Sequence, residues 1–157
     1  MSSDDRTVSW RTLLAETTAL VGDARHARWI CETATSTDAD EFRTMLDDPA
    51  TERSVQHLDA MVVRARAGEP IQYVLGSWAF RRLDLAVDPR VLIPRPETEL
   101  LVELAVEVLA GLSPNRSAVD LGTGSGAVGL ALADELPRVG TTVFLTDVST
   151  DALDVAT

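Results

Sequence analysis

Lysine is absent from this 157-residue sequence: all 14 basic residues are arginine, set against 25 acidic ones, for a formal charge of −11. The missing lysine reads as GC-rich coding and carries no mechanism. The acidic excess argues against a general binder of the phosphate backbone, which needs a basic face. It leaves room for protein partners and small cationic ligands. Cysteine occurs once, at Cys31, so no internal disulfide can form; in its apolar helical context the thiol is expected to be buried and inert. Histidine occurs twice, at His26 and His57, with no second ligand at zinc spacing, so no metal site is expected. The pair also gives no basis for a Ser-His-Asp set. The start, Met1-Ser2-Ser3-Asp4-Asp5, lacks the charged and apolar regions of a secretion signal. No apolar run reaches ~18 residues, so no membrane-spanning helix is expected. The expectation is a soluble cytoplasmic protein. With 45% apolar and 25% charged residues, the composition is that of a globular chain.

Apolar residues recur at helical spacing over the first 68 positions. Val8, Leu13, Leu14, Leu20 and Val21 mark one helix, which Gly22 can end. Ala24, Ala27, Trp29, Ile30 and Ala34 mark a second, and Phe42, Met45 and Leu46 a short third. Asp48-Pro49 reads as a start signal for a fourth helix, through Val55, Leu58, Met61, Val62 and Ala65 to a stop at Gly68. The texture changes at Gly68-Glu69-Pro70. Ile71, Tyr73 and Leu75 alternate, as do Trp78, Phe80, Leu83, Leu85 and Val87, and Val91-Leu92-Ile93 reads as a short strand. Residues 69–93 are therefore expected to form a β-rich linker, a hairpin included. The three tryptophans, Trp10, Trp29 and Trp78, are most simply packing residues.

From 94 onward the pattern is helix, strand, glycine loop, helix, strand. Pro94-Arg95-Pro96 precedes an amphipathic helix through Leu100, Leu101, Leu104, Ala105, Val108 and Leu109, with Glu97 and Glu99 in its first turn. Residues 117–121 read as a buried strand, Gly122-Thr123-Gly124-Ser125-Gly126 as a loop, and 127–136 as a helix ended by Pro137. Residues 142–147 form a second strand, after which Ser149 or Thr150 caps another helix. This order implies a parallel sheet with a crossover.

A glycine loop that follows a strand and opens a helix lets a ligand approach the main chain and offers it free amides. Asp147, about 20 residues further on at the end of the next strand, can accept ribose hydroxyls. A nucleoside-type ligand is favoured over a plain tight turn. Gly124-x-Gly126-x-x-Gly129 formally fits the dinucleotide fingerprint, while Asp120-x-Gly122-x-Gly124-x-Gly126 fits the S-adenosylmethionine pattern. A carboxylate at Asp120 would repel a pyrophosphate and suits an ammonium or sulfonium group, which favours the methyl donor.

The stretches Gly68-Glu-Pro-Ile-Gln-Tyr-Val-Leu-Gly76, Val91-Leu-Ile-Pro-Arg-Pro-Glu-Thr-Glu99, Asp120-Leu-Gly-Thr-Gly-Ser-Gly126 and Thr146-Asp147, with Phe80, Ala152 and Leu153, carry a resemblance. The sequence resembles the peptide chain release factor glutamine methyltransferase family (HemK/PrmC type). The resemblance is sharp over 68–157 and looser over 1–67. It implies an α/β protein with a small N-terminal helical bundle, a β-hairpin linker, and the first part of a class I, Rossmann-like S-adenosylmethionine methyltransferase domain. The corresponding boundaries are 1–68 for substrate recognition, 69–93 for the linker and 94–157 for the methyltransferase part. The implied reaction is methylation of the side-chain amide of the glutamine in the Gly-Gly-Gln loop of release factors. Carried over by motif, Asp120, Gly122, Thr123, Gly124, Ser125 and Gly126 would serve the methionine end of S-adenosyl-L-methionine, and Asp147 its ribose. Arg95, Pro96, Glu97 and Thr98 would lie near the cofactor and the glutamine pocket.

One departure is large. The family's Asn-Pro-Pro-Tyr motif, which grips the substrate amide, is missing, and Asn115 is the only asparagine. No catalytic residue is therefore assigned, and the chain is expected to be the N-terminal part of such an enzyme, inactive alone. Its two strands are expected to lack covering neighbours and its crossover helix to leave apolar surface wet. The other readings are a non-catalytic module that binds release factor, a glutamine methyltransferase acting on a ribosomal protein, and, more remotely, a dehydrogenase.

Overall fold

The computed structural model describes residues 8–112 and 115–157; the reading of Met1–Asp5 therefore lies outside the described residues. The chain divides into two compact units, Met1–Leu75 and Gly76–Thr157.

Five helices make the first unit: α1 (Trp10–Val21), α2 (Ala24–Thr35), α3 (Ala39–Thr44), α4 (Glu52–Arg66) and α5 (Ile71–Leu75). Each boundary has a local cause. Ser9 accepts from the amide of Thr12, and Gly22 closes α1 in the left-handed conformation that glycine tolerates. Asp23 caps α2 through the amides of Arg25 and His26. At α3, Asp38 and Glu41 exchange side-chain and backbone bonds in a capping box. The fourth helix does not begin at Asp48-Pro49. Its cap is Thr51, whose hydroxyl accepts from the amide of Ser54. Pro49 instead bridges Ser9, and the Asp48 carbonyl receives the Trp10 amide at 3.2 Å.

Residues 71–75 are a helix where alternation suggested a strand. Pro70 starts the turn, its carbonyl accepting from the amides of Tyr73 and Val74. Ile71 and Val74, three apart, then point into the core. Arg64 holds this turn in place. Its guanidinium donates to both oxygens of Glu69, at 2.8 and 2.6 Å, and to the carbonyls of Tyr73 and Val74. Trp10, Leu13, Ile30, Phe42, Leu58 and Met61 fill the centre, and Trp10 meets Phe42 edge to face at 5.9 Å.

The second unit starts with an antiparallel hairpin of β1 (Ser77–Phe80) and β2 (Leu83–Ala86), followed by α6 (Pro96–Ala110). Val91–Ile93 is not a strand: the Val91 amide is bonded to the Asp88 carbonyl in a turn. β3 (Arg116–Leu121), α7 (Ala127–Glu135) and β4 (Thr141–Thr146) form a βαβ unit with parallel strands in register from Arg116↔Thr141 to Leu121↔Thr146. α8 (Thr150–Val155) follows, capped by Ser149.

Arg81 ties the hairpin to both long helices. It occupies the turn with φ 52°, a left-handed conformation that costs a non-glycine residue about 1–2 kcal/mol. Its amide donates to the carboxylate of Glu99 at 3.1 Å. Its guanidinium forks onto Glu135 and reaches Glu103 at 3.2 Å. These partners hold its charged form well above the usual arginine range.

Exposure in this unit falls where the pattern did not put it. The crossover helix α7 is well covered, with Ala127, Ala131 and Leu132 buried between α6 and the sheet. α6 buries Val102 and packs Ala105, Val106 and Leu109, which leaves Leu100, Leu101, Leu104 and Val108 more than half exposed. β3, read from the sequence as buried, is half-buried on one face and exposed on the other: Ala118 packs inward, while Val119 and Leu121 face out beside Phe144 of β4.

Cys31 is fully buried, and burial pushes its thiol up to about 11. Alkylation of the native chain near neutral pH is expected to be slow, to quicken as pH rises toward that value, and to become fast in denaturant. Rapid native labelling at pH 7 would contradict the buried placement. Phe42→Ala is expected to lower the stability of the first unit by about 3–5 kcal/mol in urea melts.

Candidate functional site

The glycine loop between β3 and α7 is built from three left-handed positions, with φ of 76° at Gly122, 54° at Gly124 and 81° at Gly126. At Gly122 and Gly124 a Cβ would meet nothing within 4 Å. Glycine is required there by the backbone conformation, and the space beside it is open.

Two carboxylates hold the loop. Asp120, near the end of β3, uses its Oδ2 twice, accepting from the Thr123 hydroxyl at 2.7 Å and from the Gly129 amide at 2.9 Å. α7 has no side-chain cap at Gly126, so Asp120 satisfies one of its first free amides from the strand. Asp147 follows β4 and accepts from the Gly124 amide at 3.0 Å through Oδ2 and from the Ser149 amide at 2.9 Å through Oδ1. Backbone donation by Ser149, then Gly124 and Val148, holds Asp147 below the usual carboxylate range. The amides of Gly122 and Thr123 donate to the carbonyl of Thr146, tying the loop to the end of β4.

Close approach of α7 to the sheet adds a steric demand. A Cβ on Gly129 would come within 2.8 Å of Leu145 Cγ and 3.1 Å of Asp120 Oδ2. Glycine here serves packing and gives the Asp120 carboxylate access to the helix amide. The fingerprint spacing of Gly129 thus has a packing cause.

A cavity of about 150 Å³ lies against this loop. One wall is Leu92, Ile93, Pro94, Arg95 and Thr98; the other is Asp120, Gly122, Thr123, Gly124, Ser125, Ala127 and Val128. The structure therefore brings Arg95 and Thr98 to the glycine loop across a gap of more than 20 residues. Pro96, Glu97, Gly126 and Asp147 do not line the cavity, although Asp147 bonds to the loop that does. Thr123 and Ser125 are buried. Ile93 and Pro94, read from the sequence as strand and strand end, are wall residues. Arg81 and Glu135, which anchor the hairpin beside this site's helices, carried no motif signal; only the left-handed turn and the pairing of charges 54 residues apart disclose them. Among the described residues no group of three or more His, Cys, Asp or Glu side chains is placed to hold a metal, and no helix is long and apolar enough to cross a membrane.

A helical unit followed by a βαβ unit with a glycine loop and two anchoring carboxylates defines a mixed α/β protein. Comparison with known proteins narrows the class. Residues 10–76 match the PrmC N-terminal domain, a span that takes in most of the looser stretch before residue 68 and the Gly68–Gly76 string. A release factor glutamine methyltransferase of Gloeobacter violaceus is 41% identical over 150 residues, 94% of this chain and 51% of that protein. Those of Aliivibrio fischeri and Coxiella burnetii are 43% and 52% identical, over 68% and 63% of this chain and 36% and 35% of their own lengths. The chain belongs to the release factor glutamine methyltransferase family, and it spans about half the length of the curated relatives it matches or less.

Gly129→Ala is expected to cost about 1–3 kcal/mol by overpacking. Gly111→Ala, whose Cβ would meet only ordinary contacts at 3.5 and 3.8 Å, is expected to be neutral or slightly stabilising. Urea melts of the two variants check the contrast. Since the lowered pKa of Asp147 lies below its ordinary 3.8, its anchoring is complete above that pH and lost as pH falls through the lowered value. A carboxyl titration of Asp147 by NMR is expected to give a midpoint under 3.8; a higher one contradicts the hydrogen-bonded geometry.

Proposed function

We propose that the chain is the N-terminal part of an S-adenosylmethionine-dependent methyltransferase. Its substrate is the side-chain amide of the glutamine in the Gly-Gly-Gln loop of release factors, met in the cytoplasm where termination occurs. The observation that carries the reading is the Asp120-braced glycine loop facing Arg95 and Thr98, in a chain similar to release factor glutamine methyltransferases over 94% of its length. In this reading 94–157 begins a class I, Rossmann-like domain, 69–93 links it, and 1–68 recognises the protein substrate.

The residues fit the cofactor by their chemistry. Gly122 and Gly124 leave room for a ligand against the backbone. Oδ2 of Asp120 is committed to the loop, so Oδ1 is the oxygen left for the cationic aminoacyl end. Thr123 and Ser125 bring hydroxyls to the same wall, Gly126 sets the turn into α7, and Asp147 is positioned for ribose hydroxyls by exchange of its Gly124 contact. A cavity of about 150 Å³ is below the range of about 300–1,000 Å³ usual for small-molecule sites. It suits one end of the cofactor, so binding to this chain alone is expected to be weak. The bound cofactor supplies an electrophilic methyl group. Arg95, Pro96, Glu97 and Thr98 would border the incoming amide.

Methyl transfer is an in-line displacement, so positioning supplies much of the rate. An amide nitrogen is a poor nucleophile, and no Asn-Pro-Pro-Tyr sequence is present to aim it. The 157-residue chain is expected to transfer no labelled methyl to release factor. A chimera that appends the remaining part of the Gloeobacter violaceus relative is expected to methylate the Gly-Gly-Gln glutamine, read by peptide mass spectrometry. Asp120→Asn in that chimera is expected to raise the KM for cofactor more than it lowers kcat. Methylation at another protein, with release factor untouched, would overturn the substrate assignment.

A further inference from the structure

The first unit holds a cavity of its own, about 600 Å³, between the C-terminal end of α2 and the first turns of α4. Its lining is Ala34, Thr35, Ser36, Arg53, Ser54 and His57. In a chain with 25 acidic residues the lining holds no carboxylate and both an arginine and a histidine. Arg53 and His57 stand one helical turn apart on the same face of α4. Neither makes an ion pair among the described residues, in contrast to Arg11, Arg28, Arg43, Arg64, Arg81 and Arg90, each of which does. Glu52, next to Arg53 on α4, is engaged by the side-chain amide of Gln56 at 3.2 Å, and Asp59 lies two residues beyond His57.

The backbone shapes the opposite wall. Ser36 ends α2 with φ 55°, and its amide and that of Thr37 close on the carbonyls of Thr33 and Glu32. This turn places Ser36, whose hydroxyl has no hydrogen bond among the described residues, in the same lining as Arg53 and His57. The donors thus converge on one space from two elements that the core holds rigidly, through Ile30, Ala34 and Leu58.

We propose that this cavity receives an acidic segment of the protein substrate. The volume exceeds what a single ion fills, since one water takes about 30 Å³ of liquid, and lies within the range of sites that hold several connected groups. Carboxylates match the donor set, as charge-assisted hydrogen bonds are about twice as strong as neutral ones. The inference rests on the reading of the helical unit as the part that recognises a protein substrate, and it gives that recognition a chemistry.

The test is an amide-shift titration of the full 157-residue chain. The probes are a capped peptide carrying three aspartates, its asparagine isostere, inorganic phosphate, and release factor. The aspartate peptide is expected to move Arg53, Ser54 and His57, to bind about tenfold or more tighter than the isostere, and to lose that margin in the double variant Arg53→Gln, His57→Gln. Both side chains are exposed, so the variant is expected to keep its melting temperature. Absence of shifts at these residues overturns the proposal, as does phosphate binding as tightly as the peptide, which would make the site one for a free anion. Release factor that binds the wild type and the double variant alike refutes the cavity while leaving the proposed function standing. Release factor that fails to bind, while the aspartate peptide does, supports the cavity and refutes the assignment of the helical unit to release factor.

Discussion

The carboxylate of Asp120 is the joint on which the second unit turns. One oxygen takes the hydroxyl of Thr123 and the amide of Gly129, so a strand end, a loop and the first turn of a helix share a single acceptor. That sharing requires the helix to approach the strand closely, and the approach is possible only because residue 129 has no Cβ. Loop shape and packing are therefore one constraint. The three left-handed glycines follow from it, since the chain must leave β3, clear the Asp120 side chain and enter α7 within five residues. Asp147 braces the other side of the loop through Gly124. An open space beside Gly122 and Gly124 is what this bracing leaves, and it is where the proposed cofactor would lie.

The first unit reaches its order by different means. Its helices are capped by Ser9, Asp23, Asp38 and Thr51, each supplying an oxygen to otherwise free amides. Arg64 then turns a polar connection into a packed one. By satisfying Glu69 and the last carbonyls of α5, it lets Ile71 and Val74 enter the core without leaving those groups unpaired. The Gly68–Gly76 string that carries the family resemblance is thus in good part a record of this turn, with Glu69 and Pro70 as its working parts.

Exposed apolar surface is distributed by the same logic. α7 lies between α6 and the sheet and is covered on both sides. α6 has neighbours on one side, so Leu100, Leu101, Leu104 and Val108 face water. α7 packs on one face of the sheet, and Val119, Leu121 and Phe144 stand open on the other. Amphipathic spacing marks a helix but cannot say which of several apolar positions a neighbour will cover. On α6 the covered set is Val102, Ala105, Val106 and Leu109, offset from the leucines that dominate the pattern.

What the sequence by itself determined is local: the helix stops at Gly22 and Gly111, the Ser149 cap, the hairpin, the glycine loop with its flanking acids, and the family strings. Hydrogen-bond donors and acceptors a few residues apart fix these, and short-range rules read them. Tertiary structure decided the rest. Residues 71–75 alternate as a strand would, yet fold as a helix because Pro70, Arg64 and the core jointly favour that turn. Leu92 and Ile93 have strand composition, yet they lie outside any strand and line the cavity. Arg95 and Thr98 reach the glycine loop only once α6 packs on α7, and Arg81 finds Glu135 across 54 positions. Such meetings depend on how elements pack, which is a property of the whole core and not of any window of residues.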